Sequence, residues 1–155
     1  MKLYLMRHGE ALHPAVDPEM RLSPRGRRDT AKMGECFKRE GIVIDAVWHS
    51  PKARALETAQ CMADILGLDP AVLQTQKELT PEGNVECTKE RIHAAQKTGH
   101  YQGLLIISHL PFLPQLTASL SGGSGRTDFE TASAACFLFL DGVWTRKWLK
   151  EPARL

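Results

Sequence analysis

Two histidines and two arginines lie in three short segments of this 155-residue chain, and each segment follows a predicted strand. Arg7 and His8 are in the first segment, Arg54 is in the second and His109 is in the third. Arginine presents a planar fork of donors that matches the oxygens of a phosphoryl group. A neutral imidazole can attack phosphorus, and neighbouring cations lower its pKa so that it stays neutral at pH 7. The pattern therefore predicts phosphoryl transfer to a histidine.

Residues near these four are candidates to support a bound phosphate. The pair Ser50-Pro51 has the pattern of a helix cap and predicts that a helix carrying Arg54 begins there. The N-terminus of a helix favours a bound anion. Arg21 lies in the polar loop after the first predicted strand, where it could hold phosphate or substrate. His109 could donate to a phosphoryl oxygen, and a bound phosphate should raise the pKa of this residue.

Alternating strand and helix signals predict the elements that position these residues. Strands are expected at 2–6, 42–48, 71–76, 104–107, 135–140 and 143–149, the last two joined by a tight Asp141-Gly142 turn. Helices are expected at about 23–41, 50–67, 85–98 and 111–121. This alternation predicts a three-layer α/β/α sandwich with a mainly parallel sheet and an antiparallel edge strand. Ligands of such sheets bind beyond the carboxyl ends of the strands.

The composition is that of one globular domain, expected to span residues 1–155. A net charge of +2 is too small to indicate nucleic-acid binding, and no apolar stretch is long enough to indicate a membrane partner. No group of carboxylates, cysteines or histidines has metal-ligand spacing, so we expect neither a metal nor a cofactor. Four scattered cysteines favour a reduced protein in the cytoplasm: Cys36, Cys61, Cys87 and Cys136.

Three motifs resemble those of the histidine phosphatase superfamily, which includes the phosphoglycerate mutases. They are Arg7-His8-Gly9, Ser50-Pro51-x-x-Arg54-Ala55-x-x-Thr58-Ala59 and Ser108-His109. A closer similarity, to the SixA-type phosphohistidine phosphatases, rests on the small size of the chain and on three further segments. These segments are Glu78-Leu79-Thr80-Pro81-x-Gly83, Ile107-Ser108-His109-Leu110-Pro111 and Thr131-Ala132-Ser133-Ala134-Ala135-Cys136.

The resemblance implies that His8 is the nucleophile and forms a phosphohistidine intermediate. It implies that Arg7, Arg54 and His109 complete the phosphate pocket. It also implies that Gly9 permits a close approach of the backbone and orients the His8 ring through its carbonyl group. Each of these roles is an expectation carried over from the motifs.

One position departs from the broader family, in which many members carry a general acid in a segment reading roughly Leu-x-Glu. Here the segment reads Leu79-Thr80-Pro81, so proline stands at the position of the acid. Glu78, Glu82 and Glu10 remain open as substitutes. Phosphohistidine releases an imidazole with a pKa of about 6.5, which needs less acid catalysis than an alkoxide. The sequence therefore predicts a phosphohistidine-bearing protein as substrate, either a phosphotransfer domain or a phosphocarrier.

Two alternatives stay open at this stage. One is a phosphatase for small phosphate esters, which would need a general acid. The other is a module that binds phosphoprotein without turnover, although binding alone does not require the intact nucleophile His8. His49, next to the second segment, is interpreted as a strand-end histidine without a catalytic role.

Overall fold

A computed structural model describes residues 1–155, in which six strands form one sheet. The strands are β1 (Lys2–Arg7), β2 (Ala46–His49), β3 (Leu73–Thr75), β4 (Gly103–Ser108), β5 (Ala134–Leu140) and β6 (Val143–Lys150). Their order is β3-β2-β4-β1-β5-β6. The first four strands of this order are parallel, whereas β5 is antiparallel to β1 and to β6. The mainly parallel sheet with an antiparallel edge is therefore confirmed.

Four helices cover the two faces of the sheet and complete the predicted three layers. They are α1 (Pro24–Arg39), α2 (Ala53–Leu66), α3 (Val85–Thr98) and α4 (Phe112–Leu120). Alternate residues of β1 point to opposite faces, as in any strand. Leu3 and Leu5 pack with α3 and α4, whereas Tyr4 and Met6 pack with α1 and α2. The longest helix has 16 residues, and no helix combines the length and the apolar character needed to cross a bilayer.

The central strands β1 and β4 are buried on both faces, which explains their nearly continuous apolar sequences. Their register pairs Arg7 with Ser108, while β2 is aligned so that His49 pairs with Ile107. The carboxyl ends of the three strands therefore lie side by side. The residues that follow these ends meet at one edge of the sheet.

The local helix signals at two places gave the correct boundaries. Ser23 caps α1, because its Oγ accepts a hydrogen bond from Gly26 N (3.0 Å) and Pro24 follows at the first helical position. Gly99 ends α3 in the left-handed conformation. The hairpin turn also matches the prediction, since Asp141 and Gly142 both have the positive φ that a type I′ turn requires.

Two predicted strands are too long. Pairing of β2 begins only at Ala46, because the preceding residues join other elements: Ile42 N donates to Phe37 O at the end of α1 (3.0 Å). The prediction of a third strand from residue 71 is wrong because residues Pro70–Val72 form a 3₁₀ turn, with Asp69 as its cap. Asp69 Oδ1 accepts from Ala71 N (2.9 Å) and holds this turn.

Candidate active site

The carboxyl ends of β1, β2 and β4 bring the three chemistry-bearing segments to one cavity of about 390 Å³. Backbone bonds continue the sheet into the site, since His8 N donates to Ser108 O (3.1 Å) and Ser50 N donates to Ile107 O (3.1 Å). The cavity is lined by Arg7, His8, Glu10, Ala11, Met20, Arg54, His109, Leu110 and Thr131. The four residues predicted to carry the chemistry therefore share one cavity.

The ring of His8 is held by its own neighbour. His8 Nδ1 lies 2.7 Å from Gly9 O, and because a carbonyl oxygen only accepts, Nδ1 must carry the proton. Nε2 then keeps the lone pair. Burial, with a further contribution from Arg54 and Arg7, lowers the pKa of His8 to about 4 despite the opposing effect of the Gly9 carbonyl. His8 is therefore neutral at pH 7, with a lone pair available for attack.

Gly9 is fixed on both sides of its backbone. Its N–H donates to Thr58 Oγ1 (3.0 Å), and the same hydroxyl donates to Arg54 O (2.7 Å), so Thr58 ties the His8 loop to α2. A Cβ atom at Gly9 would lie 2.7 Å from both Gly26 O and Thr30 Oγ1, which is too close for any other residue. Thr58 is fully buried and was missed by the sequence analysis as a site residue, although it belongs to the second motif.

The two arginines of the cavity form no ion pair with any carboxylate. Arg7 Nη1 donates to Phe129 O (3.0 Å), which holds the guanidinium group, while its buried Nε has no partner in the protein. Burial lowers the pKa of Arg7 and of Arg54, but arginine stays charged at any physiological pH. Two guanidinium groups that lack an ion pair and lie at one cavity are suited to bind an anion such as a phosphoryl group.

The second histidine, His109, lies beside the first, with 4.9 Å between the two ring centroids. Its Nε2 is 2.7 Å from Ser50 Oγ. Burial is the main reason that the pKa of His109 falls to about 3, and His8 and the neighbouring cations Arg54, Lys52 and Arg7 add to it. His109 is therefore also neutral in the unliganded site.

Ser50 does not have the predicted role of helix cap. The helix α2 begins at Ala53, and its N-cap residue, Lys52, makes no side-chain cap bond. The Ser50 hydroxyl instead contacts His109, and His49 Nδ1 bonds to Ser50 O (2.9 Å). His49 is buried at the end of β2 and does not line the cavity.

The structure does not bring Arg21 to the cavity. Its guanidinium group pairs with Asp17 (3.0 Å) and lies 3.7 Å from Glu19, and its side chain is 55% exposed. Asp17 also accepts from Arg21 N (3.0 Å), so side chain and backbone of Arg21 are engaged by the same carboxylate. These contacts hold Arg21 in the 17–21 loop.

The three candidate acids occupy different positions. Glu78 pairs with Arg91 (3.5 Å) and does not line the cavity. Glu82 lies in an adjacent cleft that shares Arg54 with the cavity. Glu10 is the one carboxylate that lines the cavity, and its Oε2 accepts a hydrogen bond from Ser23 Oγ (2.7 Å).

The two buried histidines should make the fold sensitive to acid. Both have folded-state pKa values, about 4 for His8 and about 3 for His109, below the unfolded value of about 6.5. Protons therefore bind preferentially to the unfolded chain, and the stability is fully present above pH 6.5 and lost as the pH falls toward 4. Urea unfolding should show a loss of about 2 kcal/mol per histidine between pH 7.5 and pH 5. A His109→Gln variant should lose less over this range; an unchanged pH dependence in that variant would contradict the assignment.

A sequence profile of the Histidine phosphatase superfamily (branch 1) matches residues 3–102. The chain therefore belongs to the histidine phosphatase superfamily. Among curated proteins, the Escherichia coli (strain K12) phosphohistidine phosphatase SixA is 33% identical over 157 aligned residues, which cover 100% of this chain and 96% of SixA. The SixA homolog of Haemophilus influenzae is 27% identical over 90% of this chain and 88% of its own length.

A solved structure of the protein histidine phosphatase SixA in complex with tungstate is similar over the whole fold. It has a TM-score of 0.91 and 31% identity and covers 99% of both chains. The phosphoglycerate mutase of Bacillus anthracis has a TM-score of 0.75 at 17% identity, covering 99% of this chain and 94% of its own, and shares the fold. The similarities to SixA confirm the resemblance to the SixA type that the motifs indicated.

Proposed function

We propose that this chain is a phosphohistidine phosphatase that transfers a phosphoryl group from a protein phosphohistidine to His8 and then to water. One observation carries the proposal. The proton of His8 is held on Nδ1 by the Gly9 carbonyl, so that Nε2 presents a lone pair in a cavity lined by two arginines that form no ion pair. The full-length similarity to the phosphohistidine phosphatase SixA supports it.

The reaction has two steps. In the first, the lone pair of His8 Nε2 forms a bond to phosphorus while the P–N bond of the substrate breaks. The electron pair of the P–N bond stays on the leaving nitrogen, and the proton on the other nitrogen of the substrate ring makes the released imidazole neutral. In the second, the oxygen of a water molecule forms a bond to phosphorus while the P–Nε2 bond of phosphorylated His8 breaks. The electron pair of that bond returns to Nε2, and inorganic phosphate leaves with the oxygen and the protons of the water. Arg7 and Arg54 would bind the phosphoryl oxygens in both steps, where charge is spread over these atoms. Gly9 would orient the nucleophile through its carbonyl.

The proposal also covers the extent of the domain, its cellular compartment and its partner protein. We infer that residues 1–155 act as one catalytic domain, because both termini contribute to a single sheet and its two cores. The four cysteines are unpaired, which fits a reducing compartment such as the cytoplasm. The proposed partner is a folded protein that presents phosphohistidine, either a phosphotransfer domain or a phosphocarrier.

The enzyme should work without a metal ion, because Arg7 and Arg54 provide the positive charge that a divalent ion provides in other phosphatases. Activity should be unchanged by excess EDTA, and tungstate or vanadate should inhibit competitively as analogues of the transferring phosphoryl group. Steady-state kinetics with an aryl phosphate, with and without chelator, measure both effects. Loss of activity in EDTA that a divalent ion restores would contradict this part of the proposal.

Substrate choice should follow the leaving group. An alkoxide gains typically 10²–10⁴-fold from a positioned acid, whereas an imidazole with a pKa of about 6.5 leaves with far less help. We therefore expect the order phosphohistidine protein, aryl phosphate, alkyl phosphate in kcat/KM. Release of phosphate from a phosphorylated phosphotransfer domain, a phosphorylated phosphocarrier, an aryl phosphate and a sugar phosphate tests this order.

The small-ester alternative has one observation in its favour, because Glu10 lines the cavity and could protonate an alkoxide. A Glu10→Gln variant separates the two functions. If phosphohistidine is the substrate, we expect less than a tenfold loss in kcat/KM with the phosphohistidine protein, since its leaving group needs little acid catalysis. Rapid turnover of a sugar phosphate that disappears in Glu10→Gln, with no turnover of phosphohistidine, would support the alternative.

A further inference from the structure

We propose that Ser50 is a positioning residue that keeps the proton of the His109 ring on Nδ1, so that His109 donates to the phosphoryl group through that nitrogen. The inference deepens the proposed function and rests on it, since it assigns His109 a donor role toward the substrate. The hydrogen bonds of one buried hydroxyl decide which nitrogen of the His109 ring carries the proton.

The Ser50 hydroxyl has one proton to donate and no access to solvent, because Ser50 is fully buried. Lys52 N donates to Ser50 Oγ (3.2 Å), which uses the oxygen as an acceptor. The other neighbour of Oγ is His109 Nε2, at 2.7 Å, and it is the one acceptor that the hydroxyl proton can reach. Buried hydroxyl groups rarely leave a proton without an acceptor. Ser50 must therefore donate to Nε2.

A ring nitrogen that accepts a hydrogen bond carries no proton. Burial and the surrounding positive groups lower the pKa of His109, so that its ring is neutral at pH 7 and has a single proton. That proton is then on Nδ1. His109 Nδ1 is buried and has no hydrogen-bond partner in the protein, while the ring lies against His8 and lines the cavity. Nδ1–H is the donor left for a phosphoryl oxygen.

The two histidines thereby acquire opposite roles from two different partners. A carbonyl, Gly9 O, holds the proton of His8 on Nδ1 and leaves a nucleophilic lone pair on Nε2. A hydroxyl, Ser50 Oγ, occupies the lone pair of His109 Nε2 and leaves a donor on Nδ1. Because the one proton of the Ser50 hydroxyl is donated to His109 and an unprotonated phosphoryl oxygen can only accept, Ser50 acts through His109 and does not itself contact phosphate.

The position of the proton can be measured without turnover. In protein labelled with ¹⁵N at the histidine rings, two-bond ¹H–¹⁵N correlation at pH 7 distinguishes the two neutral tautomers, and His109→Asn assigns the signals. We expect wild-type His109 to carry its proton on Nδ1. Ser50→Ala should populate the Nε2–H tautomer, and Ser50→Thr, which keeps a hydroxyl, should retain the wild-type pattern. Wild-type protein with the proton on Nε2 would overturn the proposal, whatever the variants show.

A double-mutant cycle tests whether Ser50 acts through His109. With an aryl phosphate as substrate, Ser50→Ala should lower kcat/KM by roughly tenfold to a hundredfold, as expected when a buried hydrogen bond that orients a reacting group is lost. In the His109→Asn background, the same substitution should cause no further loss. A full further loss in that background, or no loss in the single variant, would refute the role of Ser50. Inactivity of wild-type protein toward phosphohistidine would refute the proposed function instead, because the tautomer is measured independently.

Discussion

A His8→Ala variant is expected to lose at least about 10³-fold in phosphatase activity and to form no phosphoenzyme, because the nucleophile is removed while the phosphate pocket remains. The lone pair of His8 Nε2 is the nucleophile of the first step of the proposed reaction, and Gly9 O keeps it available. Rapid quenching with a ³²P-labelled phosphohistidine protein should trap a label on wild-type enzyme. The label should be acid-labile and base-stable, as a phosphoramidate is, and peptide mapping should place it on His8.

An exposed histidine provides the matched control for this experiment. His100 is exposed and does not line the cavity, so His100→Ala should label and turn over as wild-type protein does. The pH dependence adds a second check, because the pKa of about 4 for His8 predicts that activity persists well below pH 6.5. Retention of the label in His8→Ala would exclude His8 as the nucleophile.

Arg7→Ala and Arg54→Ala should each lower transition-state stabilisation by about 2–4 kcal/mol, as when a preorganised donor to a developing anion is removed. Neither guanidinium group has a carboxylate within ion-pair distance, so both can donate to the oxygens of a bound anion. Lysine at either position should restore only part of the activity, because an ammonium group lacks the fork of donors that spans two oxygens. The comparison requires kcat/KM with the phosphohistidine protein.

A measurement of tungstate binding distinguishes the loss of phosphate-binding donors from a general disruption of the fold. The affinity for tungstate should fall in both alanine variants, since the ion uses the same donors as the phosphoryl group. Arg28→Ala is the control, because Arg28 is exposed on α1 and away from the cavity. Wild-type rates in Arg7→Ala or Arg54→Ala would remove that residue from the proposed pocket.

The sequence was sufficient to predict the sheet, because strand signals are local and the topology rules are strict. It was also sufficient to predict that the three segments carrying the arginines and histidines of the site lie together at one edge of that sheet. Buried parallel strands have continuous apolar sequences, and the carboxyl ends of such strands share one edge. Arg7, His8 and His109 stand at or directly after strand ends, so the pattern that marks the strands also locates the chemistry. Helix boundaries at Ser23 and Gly99 were predicted for the same reason, since caps act on neighbouring residues.

The partners of individual polar side chains depended on residues far away in the chain. Ser50 followed by Pro51 has the local pattern of a helix cap, yet its hydroxyl bonds to His109, 59 positions later. Thr58 supports Gly9 across 49 positions, and Arg21 is held by Asp17 instead of reaching the cavity. A hydroxyl or guanidinium group can satisfy its hydrogen bonds in several ways. The folded chain selects among them, because only the packed strands and helices decide which donors and acceptors meet.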